Sequence, residues 1–191
     1  MLFFIEIDTR RIYLAGATAN PAREWVTQQA RNLTSDLTER SQAFKFLIRD
    51  RDSKFTASFD EVFRTEDIRV IKTPVRSPRA NAFAEGFVGT TRRECLDRFH
   101  VFGRRHLEKV LAEYVAHYNQ HRLHRSLDQQ APTVLSVAPT PIDEPDLTQL
   151  RRNAVLGGLI HEYCGVSWSD GILGTHRRHW WPAYQGKPHR G

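Results

Sequence analysis

Asp50 and Glu85 are the residues of this chain whose types and spacing best suggest chemistry. Asp50 closes the apolar run Phe44-Lys45-Phe46-Leu47-Ile48-Arg49, which reads as a buried strand. Glu85 lies 35 positions later, within Ser77-Pro78-Arg79-Ala80-Asn81-Ala82-Phe83-Ala84-Glu85, which reads as a helix start. A carboxylate at a strand's end and another on a following helix can converge on one divalent cation. In a basic protein that arrangement suits cutting or joining a phosphodiester backbone. Glu85, Val88 or Gly89, and Arg92 share one helical face, so a metal-binding carboxylate and a phosphate-binding cation would point the same way. Each feature also has a bland reading. Asp50-Arg51-Asp52 can be a solvated turn, and mixed charge is usual on a surface helix.

The elements expected to position these residues alternate between strand and helix. Residues 2–8 and 11–18 read as a hairpin around Thr9-Arg10. Asn20 and Pro21 open a helix over 22–33 whose buried face carries Trp25, Val26, Ala30 and Leu33. After the strand at 44–49 come a helix over 57–65 and a short strand over 68–72. An irregular loop over 73–79 leads to helices at 80–99 and 104–121. The whole is an α/β domain. Leu150 to Tyr163 reads as a short helix, although Gly157-Gly158 weakens it, and no period organises the residues beyond.

Charge points to a partner. The chain of 191 residues carries a net charge of +6. From Arg76 to Arg125 there are ten Lys or Arg against five acids, whereas Asp128 to Gln149 holds four acids and no base. A basic balance of this kind favours nucleic acid. No apolar run approaches the roughly 20 residues of a membrane span, and Met1-Leu2-Phe3-Phe4-Ile5 lacks a basic leader, so neither a membrane nor a signal peptide is expected. Cys95 and Cys164 stand apart without metal-binding spacing, which fits a reducing, cytoplasmic setting. His117, His121 and His124 fall at i, i+4 and i+7, a spacing that zinc could use.

Three ordered stretches carry a resemblance: Phe46–Phe55, Thr73–Glu85, and Tyr118-Asn119-Gln120-His121-Arg122-Leu123-His124-Arg125-Ser126-Leu127. Together they resemble the integrase core of bacterial insertion-sequence DDE transposases, which are related to retroviral integrases. The resemblance implies an RNase H-like domain over 1–127, while composition makes 128–149 an acidic, proline-rich linker and leaves 150–191 a tail expected to be poorly ordered. The resemblance implies Mg²⁺ (or Mn²⁺) bound by Asp50 and Glu85, the second and third catalytic acids. It also implies DNA contacts by Arg76, Arg79, Asn81, Arg92, Arg93, Arg122 and His124. The expected partners are transposon-end and target DNA, together with another copy or a full-length transposase. Two of the three histidines noted above belong to the closing motif of this resemblance, which accounts for them without zinc. Beyond Cys164 nothing resembles the family.

The sequence departs from that family in several places. Asp52 stands where glycine is frequent, Gly86 where a basic residue is common, and Leu123 where proline is usual. The first catalytic Asp has no counterpart, because the family places it on an opening strand ahead of the segment like Leu2–Asp8. Asp8 precedes Asp50 by 42 residues, where the family gap is longer, and it matches a non-catalytic Asp before the hairpin turn. In the implied sheet that opening strand separates the hairpin from the Asp50 strand, so its loss leaves two internal edges. The expectation is an inactive copy of a DNA strand-transfer enzyme. The alternatives are a DNA-binding remnant that modulates full-length transposase and an enzyme whose first acid comes from another reading frame.

Overall fold

The apolar runs at the start of the chain form an antiparallel ladder in the computed structural model, which describes residues 1–39, 44–75, 81–133 and 150–165. Strand β1 (Leu2–Ile5) pairs with β2 (Ile12–Gly16), with Phe3 opposite Leu14 and Phe4 opposite Tyr13. The strands are shorter than expected because the chain leaves the ladder at Glu6. There the Glu6 N–H donates to the Arg11 carbonyl at 2.9 Å, and Arg10 turns through φ 64°.

Helix α1 (Arg23–Glu39) runs past the predicted end at Leu33. Its buried stripe continues through Ala30, Thr34 and Leu37, so packing carries the helix on. Strand β3 (Phe46–Arg49), helix α2 (Ala57–Arg64) and strand β4 (Arg69–Lys72) form a β-α-β unit, with β3 and β4 parallel and Ile48 opposite Ile71. Val26 and Ala30 of α1, Phe59 and Phe63 of α2, and Ile68 make one buried cluster, and Leu2, Phe4, Leu47 and Val70 pack against it.

Helix α3 (Ala82–Glu94) ends earlier than the expected residue 99. Cys95 leaves helical geometry at φ −129° and ψ −73°, and a 3-10 turn, Leu96–Arg98, follows. Helix α4 (Gly103–Gln120) comes next, and the Tyr114 hydroxyl donates to Glu94 at 2.7 Å. None of the described helices is long and apolar enough to cross a membrane.

The chain divides into two compact units, Met1–Val115 and the residues from Ala116 onward. In the second unit the segment after α4 is tied back to it, since the Thr133 N–H and hydroxyl both donate to the Asn119 carbonyl, at 3.0 and 2.8 Å. The expected helix over 150–163 is not formed. Strands β5 (Leu150–Val155) and β6 (Ile160–Gly165) pair antiparallel instead, so this part of the tail has regular structure. The reason lies in the two glycines that weakened the helical reading. Gly157 and Gly158 adopt φ 62° and 94°, the left-handed turn that closes the hairpin.

Candidate functional site

Asp50 leaves the end of β3 and is held there by its neighbours. The Asp50 side chain accepts the Asp52 N–H at 3.0 Å, and the Asp52 side chain accepts the Lys54 N–H at 2.9 Å. Two successive carboxylate-to-backbone bonds make a tight, exposed turn. The Lys54 N–H, followed by the Lys54 ammonium at 3.3 Å, holds the Asp52 carboxyl below the usual carboxylate range. Phe55 then packs against Phe59 with the rings tilted and their centroids 4.8 Å apart, and so anchors the turn to α2.

Two arginines flanking Asp50 hold it in ways that sequence reasoning missed. Arg49 is buried and forms a two-pronged pair with Asp60 of α2. Its Nε and Nη2 donate to the two carboxylate oxygens, both at 2.7 Å. The remaining Nη1 donates to the Asp50 carbonyl at 2.8 Å, while Arg51 Nε donates to the Thr73 carbonyl at 2.9 Å. The strand end that presents Asp50 is thereby bolted to α2 on one side and to the end of β4 on the other. The only sequence signal was an arginine inside an apolar run and an acid one turn into the next helix.

Glu85 stands exposed in the first turn of α3, where the positive end of the helix dipole favours a carboxylate. The helix sorts its faces as the spacing predicts. Phe87, Thr91 and Cys95 are buried, while Glu85, Val88 and Arg92 face solvent. Burial, and to a lesser degree the nearby Glu113 carboxylate, pushes the Cys95 thiol up to about 11. Arg92 pairs with Asp97 at 3.8 Å, a long and exposed contact, and Arg93 reaches the Thr90 hydroxyl at 3.3 Å. Asn81 precedes α3 without a side-chain capping bond. Arg76 and Arg79 lie outside the described residues. Asp8 is exposed in the β1–β2 turn, off both strands.

In the second unit, Arg122 lies over the Tyr118 ring at 5.4 Å. His124 is buried, edge-on to Tyr118 at 4.8 Å, and its backbone bridges to Gln130. The three histidines do not share one helical face, because α4 stops at Gln120 before His124 is reached. His117 and His121 meet the Glu162 carboxylate instead, at 2.8 and 3.2 Å.

Among the described residues, no three His, Cys, Asp or Glu side chains are gathered to hold a metal ion. A two-metal centre needs carboxylates that bridge and flank both cations. The residues described around Asp50 and Glu85 do not fit one.

Residues 66–132 match the integrase core domain family, a span that contains Glu85, Asn81, Arg92, Arg93, Arg122 and His124 but not Asp50. A solved simian T-cell lymphotropic virus intasome, in complex with PP2A regulatory subunit B56 gamma, is similar over 85% of this chain and 61% of that one, with a TM-score of 0.55 and 11% identity. This chain therefore spans about three fifths of the length of its structural relative. No curated protein matches it. The fold is RNase H-like. The match to the integrase core domain family is a likeness of residues 66–132.

Proposed function

We propose that this chain is a DNA-binding integrase core of the insertion-sequence transposase type that does not itself catalyse strand transfer. The observation that carries the reading is α3. It displays Glu85, Arg92 and Arg93 to solvent inside the integrase-core match, while the Asp50 turn lacks a third metal-binding partner among the described residues. Arg92 and Arg93, with Arg76, Arg79, Asn81 and Arg122, contact DNA mainly through phosphates, and such binding falls steeply with salt; His124, buried against Tyr118, packs the closing motif instead of reaching DNA. Asp50 and Glu85 hold at most one Mg²⁺ weakly, because two carboxylates leave most of an octahedral shell to water. The DNA is a transposon end or its target, the protein partner is another copy or a full-length transposase, and the setting is cytoplasmic.

The second reading is phosphoryl transfer in which a further metal-binding acid from outside the described residues joins Asp50 and Glu85. Incubating the purified chain with a labelled transposon-end duplex and Mg²⁺ or Mn²⁺ separates the two. Salt-sensitive duplex binding without cleaved or joined product is the expected result. Joined product above the level of an Asp50→Asn, Glu85→Gln control overturns the proposal, and so does failure to bind duplex DNA at low salt.

A further inference from the structure

Phe102 is the most exposed large apolar side chain among the described residues, at 81%. It stands between the 3-10 turn Leu96–Arg98 and α4. The ring is nevertheless held in place. The Phe102 N–H donates to His106 Nδ1 at 3.1 Å, and the two ring centroids lie 5.8 Å apart with the planes 20° from parallel, an offset stack. Gly103, at φ 81°, makes the sharp turn that this return contact requires. One face of the phenyl ring is thus laid against the imidazole, and the other is presented to water.

The surroundings are cationic. From Arg98 to Lys109 the chain carries four Lys or Arg, two His and a single acid, Glu108. Glu108 accepts from Arg104 Nε at 3.0 Å, while His100, Arg105 and Lys109 are exposed. Arg105 and Lys109, four residues apart, share one side of α4. The first turn of α4 holds no acid. Its arginines stand at the positive end of the helix dipole, where cations cost stability. Neither the exposed ring nor these charges serve the fold, which leaves both to a ligand.

We propose that Phe102 and His106 form a stacking platform for an unpaired base of DNA, with His100, Arg105 and Lys109 on the adjoining phosphates. Every nucleobase offers a flat π face, and an aromatic platform with a basic rim holds single strands without sequence preference. A paired base in a duplex has both faces covered by its neighbours, so the platform selects single-stranded or frayed DNA. An apolar protein partner fits less well. Between residues 98 and 109 only Val101, 41% exposed, joins Phe102 as an exposed apolar side chain, whereas protein hot spots sit in well-packed, desolvated pockets. That the nucleic acid is DNA rests on the function proposed above; the platform itself is a contact separate from Arg92 and Arg93 of α3.

The test uses the full chain and two fluorescein-labelled probes read by anisotropy. One is a thymidine oligonucleotide of roughly a dozen residues, within the site sizes of single-strand binders; the other is a blunt duplex of the same length. Phe102→Ala is expected to weaken single-strand binding roughly tenfold, within the range for one stacked base, and to leave duplex binding unchanged. Phe102→Trp, which keeps a platform, should bind the single strand as the natural chain does. An oligonucleotide carrying one 5-iodouracil should photo-cross-link to Phe102 or His106, read by peptide mass spectrometry. No loss in Phe102→Ala, an equal loss on both probes, no recovery in Phe102→Trp, or a cross-link confined to other peptides each overturns the proposal. If the natural chain binds duplex but not the single strand, the platform alone fails. The reverse pattern sinks only the duplex reading, and binding to neither probe overturns both.

Discussion

The pair between Arg49 and Asp60 governs how Asp50 is presented. Both side chains are nearly sealed from solvent and bonded through two parallel contacts of 2.7 Å, so neither can be removed without stranding the other. Losing one member of a buried pair typically costs about 3–5 kcal/mol. Asp60→Ala is therefore expected to lower unfolding free energy by that order in urea titration, whereas Glu61→Ala, one residue on and exposed, should change little. A loss for Asp60→Ala no larger than that for Glu61→Ala would remove the pair from its structural role.

Cys95 ties stability to pH. Its thiol is pushed from an ordinary 9.0 to about 11, so its folded form prefers to stay protonated. A raised folded value means the contribution to stability is complete below about pH 9 and fades as pH climbs toward 11. The stability gap between the natural chain and Cys95→Ala should accordingly shrink between pH 9 and 11; a gap constant over that range would contradict the assignment.

Helix α3 is the element on which the proposed chemistry depends, and Gly86 is its weak point. A Cβ at Gly86 would meet nothing within 4 Å, and the position is exposed. Gly86→Ala should therefore stabilise the helix by about 1 kcal/mol, read as a shift in urea midpoint with an unchanged slope. A destabilising effect would overturn the reading of Gly86 as an unencumbered position in the helix. The faces of this helix were legible in the sequence, because Phe87, Thr91 and Cys95 recur at helical spacing and hold the exposed face in phase. The hairpin at 150–165 was not. Two glycines between apolar stretches can interrupt a helix or turn a hairpin, and only the pairing of Arg152 with Tyr163 and of Ala154 with His161 decides between them.

At the scale of the whole molecule the charge distribution sets the expected behaviour toward DNA. Surface ion pairs as long as Arg92–Asp97 are worth little, so phosphate can replace Asp97 at small cost. Replacing Arg92 and Arg93 together by alanine should weaken duplex binding and reduce the slope of log affinity against log salt by about 2, roughly 0.9 for each phosphate no longer neutralised. Fluorescence anisotropy across a salt series measures that slope. An unchanged slope would move the DNA surface away from α3.

The amino-acid sequence by itself determined the periodic elements and the identities of the reactive groups. Strand β3 follows from its apolar run, α3 and α4 from their stripes, and the candidate acids Asp50 and Glu85 from their places beside those elements. Those are local matters, set by side-chain period and turn chemistry within a few residues. Tertiary structure alone decided what lies across long loops. It made β3 and β4 parallel, joined Arg49 to Asp60, and carried Glu162 to His117 and His121 rather than adding His124 to them. It also left β1 and β3 on a shared core without a ladder between them. Pairings of that kind are fixed by which backbone edges and buried charges must find partners once a core has formed, and no local pattern records that demand.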